Sequence, residues 1–235
     1  MAAFQAITLD FYGTLAHHGA GRGRGASLMA YLTENGLVSD PWEHEVLYDV
    51  FERHRVEYDP ECPVAERRRY LERFAGRVFR RLNVPPDAAV QTHAENVWRI
   101  LGPASLALFP DVLPALRRLK AAGLKLAVVS NWHCGLGHFC TELGLGEVVD
   151  EVVASAEVGH AKPDPEIFAE AVRRLGVPAR HVLHVGDSPI DDVQGGRAAG
   201  VEAILLDRQA PPGRVGPHCR SLEELPDLVG LAACG

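Results

Sequence analysis

With 235 residues, 47% of them hydrophobic and 23% charged, the chain can bury a sizeable core as one large domain or as a domain with an insert. Its glycines and prolines are spread along the sequence, which excludes collagen-like and disordered classes. A net charge of −7 at pH 7, with no long acidic block, argues for solubility and against nucleic acid or an anionic membrane as the main partner.

The first apolar run, residues 4–9 (FQAITL), ends at Asp10 and is expected to form a strand. The first residues carry no basic leader and no apolar run reaches bilayer length, so a cytoplasmic location is expected. Residues 17–105 contain no convincing strand. The run 19–25 (GAGRGRG) reads as a flexible linker; it lacks the preceding strand and the Lys-Ser/Thr ending of a phosphate cradle. Val46, Leu47, Val50, Phe51 and His54 recur at helical spacing, as do Tyr70, Leu71, Phe74, Val78, Phe79 and Leu82. A last helix of this stretch is expected over roughly residues 87–100, after Pro85-Pro86-Asp87.

From about residue 108 the pattern alternates. Residues 111–122 place Val112, Leu116 and Leu119 on one helix face and stop at Gly123. Apolar runs at 124–130, 148–153, 181–185 and 201–206 are bounded by turn residues, as suits strands buried on both faces of a parallel sheet. Between them, residues 165–175 read as a helix with Asp164 as N-cap and Pro165 in its first turn. The expected fold is α/β: a Rossmann-like, doubly wound parallel core from residues 1–16 and 106–235, with a helical cap inserted at 17–105. Five cysteines, an odd count without a CxxC pair, read as reduced thiols.

Strand ends deliver the polar groups: Asp10 and Thr14, then Ser130-Asn131, then Lys162, then Asp187 and Asp192. In open α/β sheets ligands collect at the carboxyl ends of the strands, so these groups have the placement of one site. Taken singly, each has a plain structural explanation, such as a turn, a helix cap or a solvated loop cation.

Their order resembles the haloacid dehalogenase-like hydrolases. LDFYGTL at 9–15 resembles the first motif of that family, VVSN at 128–131 the second, Lys162 in AKPDPEIF the third, and HVGDSPIDD at 184–192, followed by GGRAAG, the fourth. The helical insert matches a C1-type cap in position and helical character. The resemblance implies that Asp10 is a covalent nucleophile and that Lys162 neutralises charge on it and on the transition state. It implies that Ser130, with Asn131, Tyr12 and Thr14, lines the substrate site. A Mg²⁺ ion would be held by Asp10, the Tyr12 carbonyl, Asp187 and Asp192. Ser188, Pro189 and Asp191 read as the cap and first turn of the next helix, which explains Asp191 structurally, while the resemblance puts Asp192, by its spacing before GGRAAG, at the metal-side acidic position, with Asp191 as the alternative. Lys162, as a cleft residue, is expected to matter for turnover and little for stability.

One position departs from the family pattern. Most phosphatases of the family carry a second Asp two residues after the nucleophile as general acid/base, and here that residue is Tyr12. The DxYGT form resembles the 2-haloacid dehalogenases, which release a halide that needs no proton. Those enzymes work without metal, whereas this chain keeps Gly186-Asp187 and Asp192. The favoured expectation is a Mg²⁺-dependent phosphatase of a small phosphorylated metabolite. The rivals are a 2-haloacid dehalogenase and a weakly catalytic binding or regulatory protein. Oligomeric state is left open. Cys134 and His138, four apart, read as packing, and so does Trp132 unless it lines the pocket; His17 and His18 read as linker residues with proton-donor capacity.

Overall fold

The computed structural model describes residues 4–18, 24–37, 72–73, 75–76, 79–80, 86–211 and 218–231. Six parallel strands form one sheet in the order β5-β4-β1-β6-β7-β8. They are β1 (Ala6–Leu9), β4 (Lys125–Ser130), β5 (Glu151–Ala154), β6 (Val182–Gly186), β7 (Glu202–Leu206) and β8 (His218–Cys219). The chain runs from β1 outward through β4 to β5, then returns across β1 to β6. β1 is therefore the switch point, and Asp10 stands at its carboxyl end between the ends of β4 and β6.

Helices cover both faces. On one, α3 (Val112–Ala121) buries Val112, Ala115, Leu116 and Leu119 and ends before Gly123, whose φ of 84° is the left-handed stop expected there. On the other, α6 (Pro165–Leu175) lays Ile167, Phe168 and Ala171 against Val129 and Val153. Its start is as expected: the Asp164 side chain accepts from the Glu166 N–H and Pro165 occupies the first turn, where a missing N–H has no consequence.

Three differences from the sequence reading have identifiable physical causes. A short antiparallel ribbon pairs β2 (Ala16–His18) with β3 (Leu106–Leu108), so His17 and His18 lie in a strand and not in a linker. Three residues are too few to show a period. The third apolar run pairs only from Glu151, because Val148 and Val149 close a 3₁₀ turn and the Asp150 carboxylate accepts the Leu126 N–H. Finally, Cys134 is disulfide-bonded, which corrects the reduced-thiol expectation for that residue. Sequence spacing carries no information about a long-range pairing. Cys140 and Cys219 are free, and burial pushes both thiols up to about 12, which makes them inert packing groups.

In the insert, α1 (Arg24–Glu34) packs on α2 (Pro86–Leu101), and the Tyr31 hydroxyl meets His93 Nδ1 at 2.6 Å. Residues 72–73, 75–76 and 79–80 are helical, with Ala75 and Phe79 in the same buried cluster as Leu28, Leu32 and Val97. Of the linker expected at 19–25, residues 19–23 lie outside the described residues, as does the helical pattern at 46–54, and Arg24 and Gly25 form the first turn of α1 instead. Trp98 of α2 meets Phe139 of α4 (Leu136–Glu142) edge-on at 5.5 Å, which carries the insert's packing into the core.

Candidate active site

The site begins with a tight turn. After Asp10, the Phe11 carbonyl accepts both the Leu15 and Ala16 N–H groups, and the Gly13 N–H donates to the Ala16 carbonyl. Gly13 has φ 93°, and a Cβ there would stand 2.2 Å from Asp187 Oδ2, so only glycine lets the turn close against that carboxylate. On the opposite side, a Cβ on Gly186 would stand 2.1 Å from Asp192 Cγ. Two glycines thus create the space in which the carboxylates converge.

Asp10, Ser130, Lys162 and Asp192 are buried. Ser130 Oγ donates to Asp10 Oδ1 at 3.0 Å, and Lys162 Nζ donates to the same oxygen at 2.5 Å and to Asp192 Oδ1 at 2.5 Å. Asn131 uses both ends of its amide on the Lys162 backbone: its Nδ2 donates to the Lys162 carbonyl at 2.9 Å and its Oδ1 accepts the Lys162 N–H at 2.7 Å. Asn131 therefore positions the lysine. Asp192 is carried on a π-helical turn, Pro189–Gln194, capped by Ser188, whose hydroxyl accepts the Asp191 N–H. That turn directs Asp191 outward and Asp192 inward, where its Oδ2 accepts the Ser188 N–H at 2.9 Å.

The electrostatics follow from this crowding. Burial alone would push the Lys162 ammonium down, but the Asp10 and Asp192 carboxylates override it and hold the lysine above its usual range. Burial would raise Asp192, and the neighbouring Lys162 and His184 override that and hold it ionised. Asp187 reaches the cleft mouth without such a partner. Desolvation there, together with the Asp10 and Asp192 charges, raises its carboxyl to about 6.

Asp10, Asp187 and Asp192 each offer an oxygen within 4.8 Å of the others. Such an all-oxygen donor set suits a hard divalent cation, and the raised Asp187 marks the like-charge repulsion that a cation would relieve. The pH dependence has a definite sign. Without metal, Asp187 takes up a proton more readily folded than unfolded, so the folded state gains stability from this group as pH falls through about 6. Metal competes with that proton. Mg²⁺ is therefore expected to raise the melting temperature at pH 7.5, less at pH 5.5, and hardly at all in Asp187→Ala. A shift independent of pH and of Asp187 would place the ion elsewhere. A second group, His160, Asp164 and Glu166, lies on the surface, where His160 pairs with Asp164 and Asp164 caps α6.

The remaining site candidates have mixed settings. Tyr12 is half-buried, edge-on to His18 at 5.2 Å and stacked with Trp132 at 6.5 Å. Trp132 packs edge-on against Phe11 and Phe139. His17 lies against Phe109 at 4.5 Å, and His138 lies against Trp98 at 5.7 Å. The Thr14 hydroxyl is buried with no hydrogen-bond partner among the described residues. Its carbonyl accepts from Arg208 at 2.8 Å. Arg208 also pairs with Asp111 at 2.9 Å and lies 3.8 Å above the Phe109 ring, so it locks the turn after the nucleophile. Asp111 is buried but held below the usual carboxylate range by Arg208, the Leu222 N–H and Ser221. Neither residue carries a signal in the sequence, because they meet across 97 residues. Thr8 and His184, beneath Asp192, carry no such signal either, because both read as ordinary strand residues.

Fold and buried carboxylates together place the protein among α/β enzymes whose chemistry runs at the carboxyl edge of a parallel sheet. More particularly, the chain belongs to the haloacid dehalogenase-like hydrolases, whose family model matches residues 4–200. It is 33% identical over 178 residues to the glyceraldehyde 3-phosphate phosphatase of Methanopyrus kandleri, covering 75% of this chain and 72% of that one. Across the curated relatives, the share of the relative's length that is matched falls from 72% to 43%. Among solved structures, a HAD phosphatase from Thermococcus onnurineus superposes with a TM-score of 0.67 at 22% identity, covering 96% of this chain and 98% of that one. A 2-haloacid dehalogenase from Pseudomonas syringae superposes with a TM-score of 0.67 at 26% identity and the same coverage. The fold is thus shared equally by both chemistries.

Proposed function

We propose that the protein is a Mg²⁺-dependent phosphohydrolase acting on a small phosphorylated metabolite in the cytoplasm, with Asp10 as nucleophile. The observation that carries this reading is the charge of the cleft. Three carboxylates converge there, and Lys162 is the ammonium that bridges two of them, which leaves an excess of negative charge. A phosphate dianion cannot enter such a site unless a cation is added, and a cation has no task in attack on a haloacid. The Methanopyrus relative, named a phosphatase, supports the same reading.

Asp10, Asp187, Asp192 and the Tyr12 carbonyl would hold the ion, and bound Mg²⁺ supplies positive charge to the phosphoryl oxygens. Ser130 and Lys162 occupy Asp10 Oδ1, so Oδ2 is the oxygen available to attack. A bond forms from Oδ2 to phosphorus as the bond to the leaving oxygen breaks, giving a phospho-aspartyl intermediate. Attack of water on that phosphorus releases inorganic phosphate and restores the carboxylate. Lys162, shared between Asp10 and Asp192, stabilises the charge on both sides of each step.

Tyr12 favours the second reading, a metal-independent 2-haloacid dehalogenase. A screen of phosphate esters, acyl phosphates and 2-haloacids, each with and without Mg²⁺, separates them. Haloacid turnover in the presence of chelator overturns the phosphohydrolase, and turnover of no substrate leaves the binding protein. Within the phosphohydrolase reading, the missing carboxylic acid should appear as leaving-group dependence. General acid catalysis contributes roughly 10²–10⁴ in rate, so nitrophenyl and acyl phosphates should far outpace alkyl phosphates. Tyr12→Asp should selectively improve the alkyl esters, with kcat/KM for both classes as the readout. Equal rates in the parent would show that another group, such as His18 beside the Tyr12 ring, already supplies the proton.

A further inference from the structure

We infer that His184 is a positioning residue that aims the Asp192 carboxylate between Lys162 and the cation side of the cleft, with the Thr8 hydroxyl fixing its tautomer. The inference rests on the phosphohydrolase reading for its kinetic consequence only.

His184 and Thr8 are register partners on the adjacent strands β6 and β1, side chains on the same face of the sheet. Both are buried, in strands otherwise made of apolar residues. Phe168 stands edge-on to the imidazole at 4.9 Å, and Gly196 lies close enough that a Cβ there would be 3.6 Å from His184 Cβ. Two polar side chains at such positions are unfavourable unless each is hydrogen-bonded, and an apolar pair would serve the sheet better. Their bonds lead to one place. Thr8 Oγ1 is 2.9 Å from His184 Nδ1, and His184 Nε2 is 3.1 Å from Asp192 Oδ1.

Donor counting fixes the Nε2 end of the chain, and the Nδ1 end follows from it for the neutral ring. An ionised carboxylate only accepts, so Nε2 carries the hydrogen toward Asp192. In a neutral imidazole Nδ1 then accepts, and the Thr8 hydroxyl is its donor. Asp192 Oδ1 thus receives two donors, His184 from below and Lys162 from the side, while Oδ2 receives the Ser188 N–H. Both oxygens are held, and the carboxylate plane cannot turn. Since Lys162 is divided between Asp192 and Asp10, the orientation of Asp192 sets how far the ammonium is drawn from the nucleophile. His184 reaches the nucleophile through these two links and touches neither it nor substrate.

Three variants separate this from a merely structural role. His184→Leu fills the volume without a donor. His184→Gln offers an amide N–H to Asp192 but has no tautomer to set. Thr8→Val keeps the shape and removes the hydroxyl. Outer-shell partners of this kind are typically worth about 10- to 100-fold in metal affinity or activity, and His184→Leu should lose that much in kcat on p-nitrophenyl phosphate and in Mg²⁺ affinity by calorimetry. His184→Gln should recover a large part of both. Thr8→Val should fall between, and its effect should vanish in the His184→Gln background. In the metal-free parent, at a pH where the ring is neutral, ¹⁵N NMR should show the hydrogen on Nε2, and Thr8→Val should disturb that tautomer. Parental kcat and Mg²⁺ affinity in His184→Leu, or the Nδ1–H tautomer of the neutral ring in the parent, overturns the inference. If His184→Leu does not fold, the Gln and Val variants decide it. If the parent hydrolyses no phosphate ester, the phosphohydrolase reading fails, while the tautomer and Mg²⁺ measurements still judge His184 on their own.

Discussion

Asp10→Asn should abolish turnover and leave the fold in place. The amide has nearly the same shape and can still accept from Ser130 Oγ and Lys162 Nζ through its remaining oxygen, so the contacts of the strand end survive. What is lost is the nucleophile. Removal of a nucleophile that forms a covalent intermediate lowers kcat by about 10⁴- to 10⁶-fold. Lys162 keeps Asp192 as an ionised partner, so no charge is stranded. One of three converging carboxylates becomes neutral, which relieves the repulsion acting on Asp187. The melting temperature of the metal-free variant should therefore equal or exceed that of the parent. Rapid acid quench of the parent with a labelled phosphate ester should trap label on the protein, and the variant should trap none. Comparable turnover in Asp10→Asn would remove the covalent mechanism.

The parts of this site that were legible in the sequence are those set by short-range pattern. Asp10, Ser130 and Asp187 each close an apolar run, and a run that stops at a polar residue marks the carboxyl end of a strand. The separation of Asp191 from Asp192 was partly local: Ser188 caps the turn as expected and accepts the Asp191 N–H, while the choice of Asp192 as the inner acid rested on its spacing before GGRAAG. The parts that stayed hidden are long-range. Thr8 meets His184 across 176 residues, and Arg208 meets Asp111 across 97, with nothing in either neighbourhood to announce the pairing. The β2–β3 ribbon, three residues a side, joins the two ends of the insert across a gap no periodicity can bridge. Asn131 is intermediate. Its position beside the site was readable, but that both ends of its amide are spent on the Lys162 backbone depends on a loop that meets it from 31 residues away.

Lys162 changes most when sequence and structure are set together. As a loop cation at a cleft its removal should leave stability nearly untouched, yet its side chain is 3% exposed and its Nζ lies 2.5 Å from two carboxylates that are themselves buried. Lys162→Met keeps the length and the apolar stem and removes the ammonium. Asp10 and Asp192 then face each other without the ammonium that lies between them. Breaking a buried pair by removing one partner typically destabilises by about 3–5 kcal/mol, because the charge left behind has no water to turn to. Part of that penalty is avoided here if one carboxylate takes up a proton, and the loss should therefore be larger at pH 8 than at pH 5. Mg²⁺ should restore some of the lost stability, since the same carboxylates are the ones it would bind. Turnover should fall steeply and should not return with Mg²⁺, because an ion at the carboxylates does not replace the ammonium beside the nucleophile. The measurement is denaturant unfolding at both pH values with and without Mg²⁺, alongside kcat. A variant as stable as the parent at pH 8 would mean that the two buried ion pairs of Lys162 contribute nothing to the fold. Full turnover would remove the lysine from the chemistry and leave it as the pin between two strands.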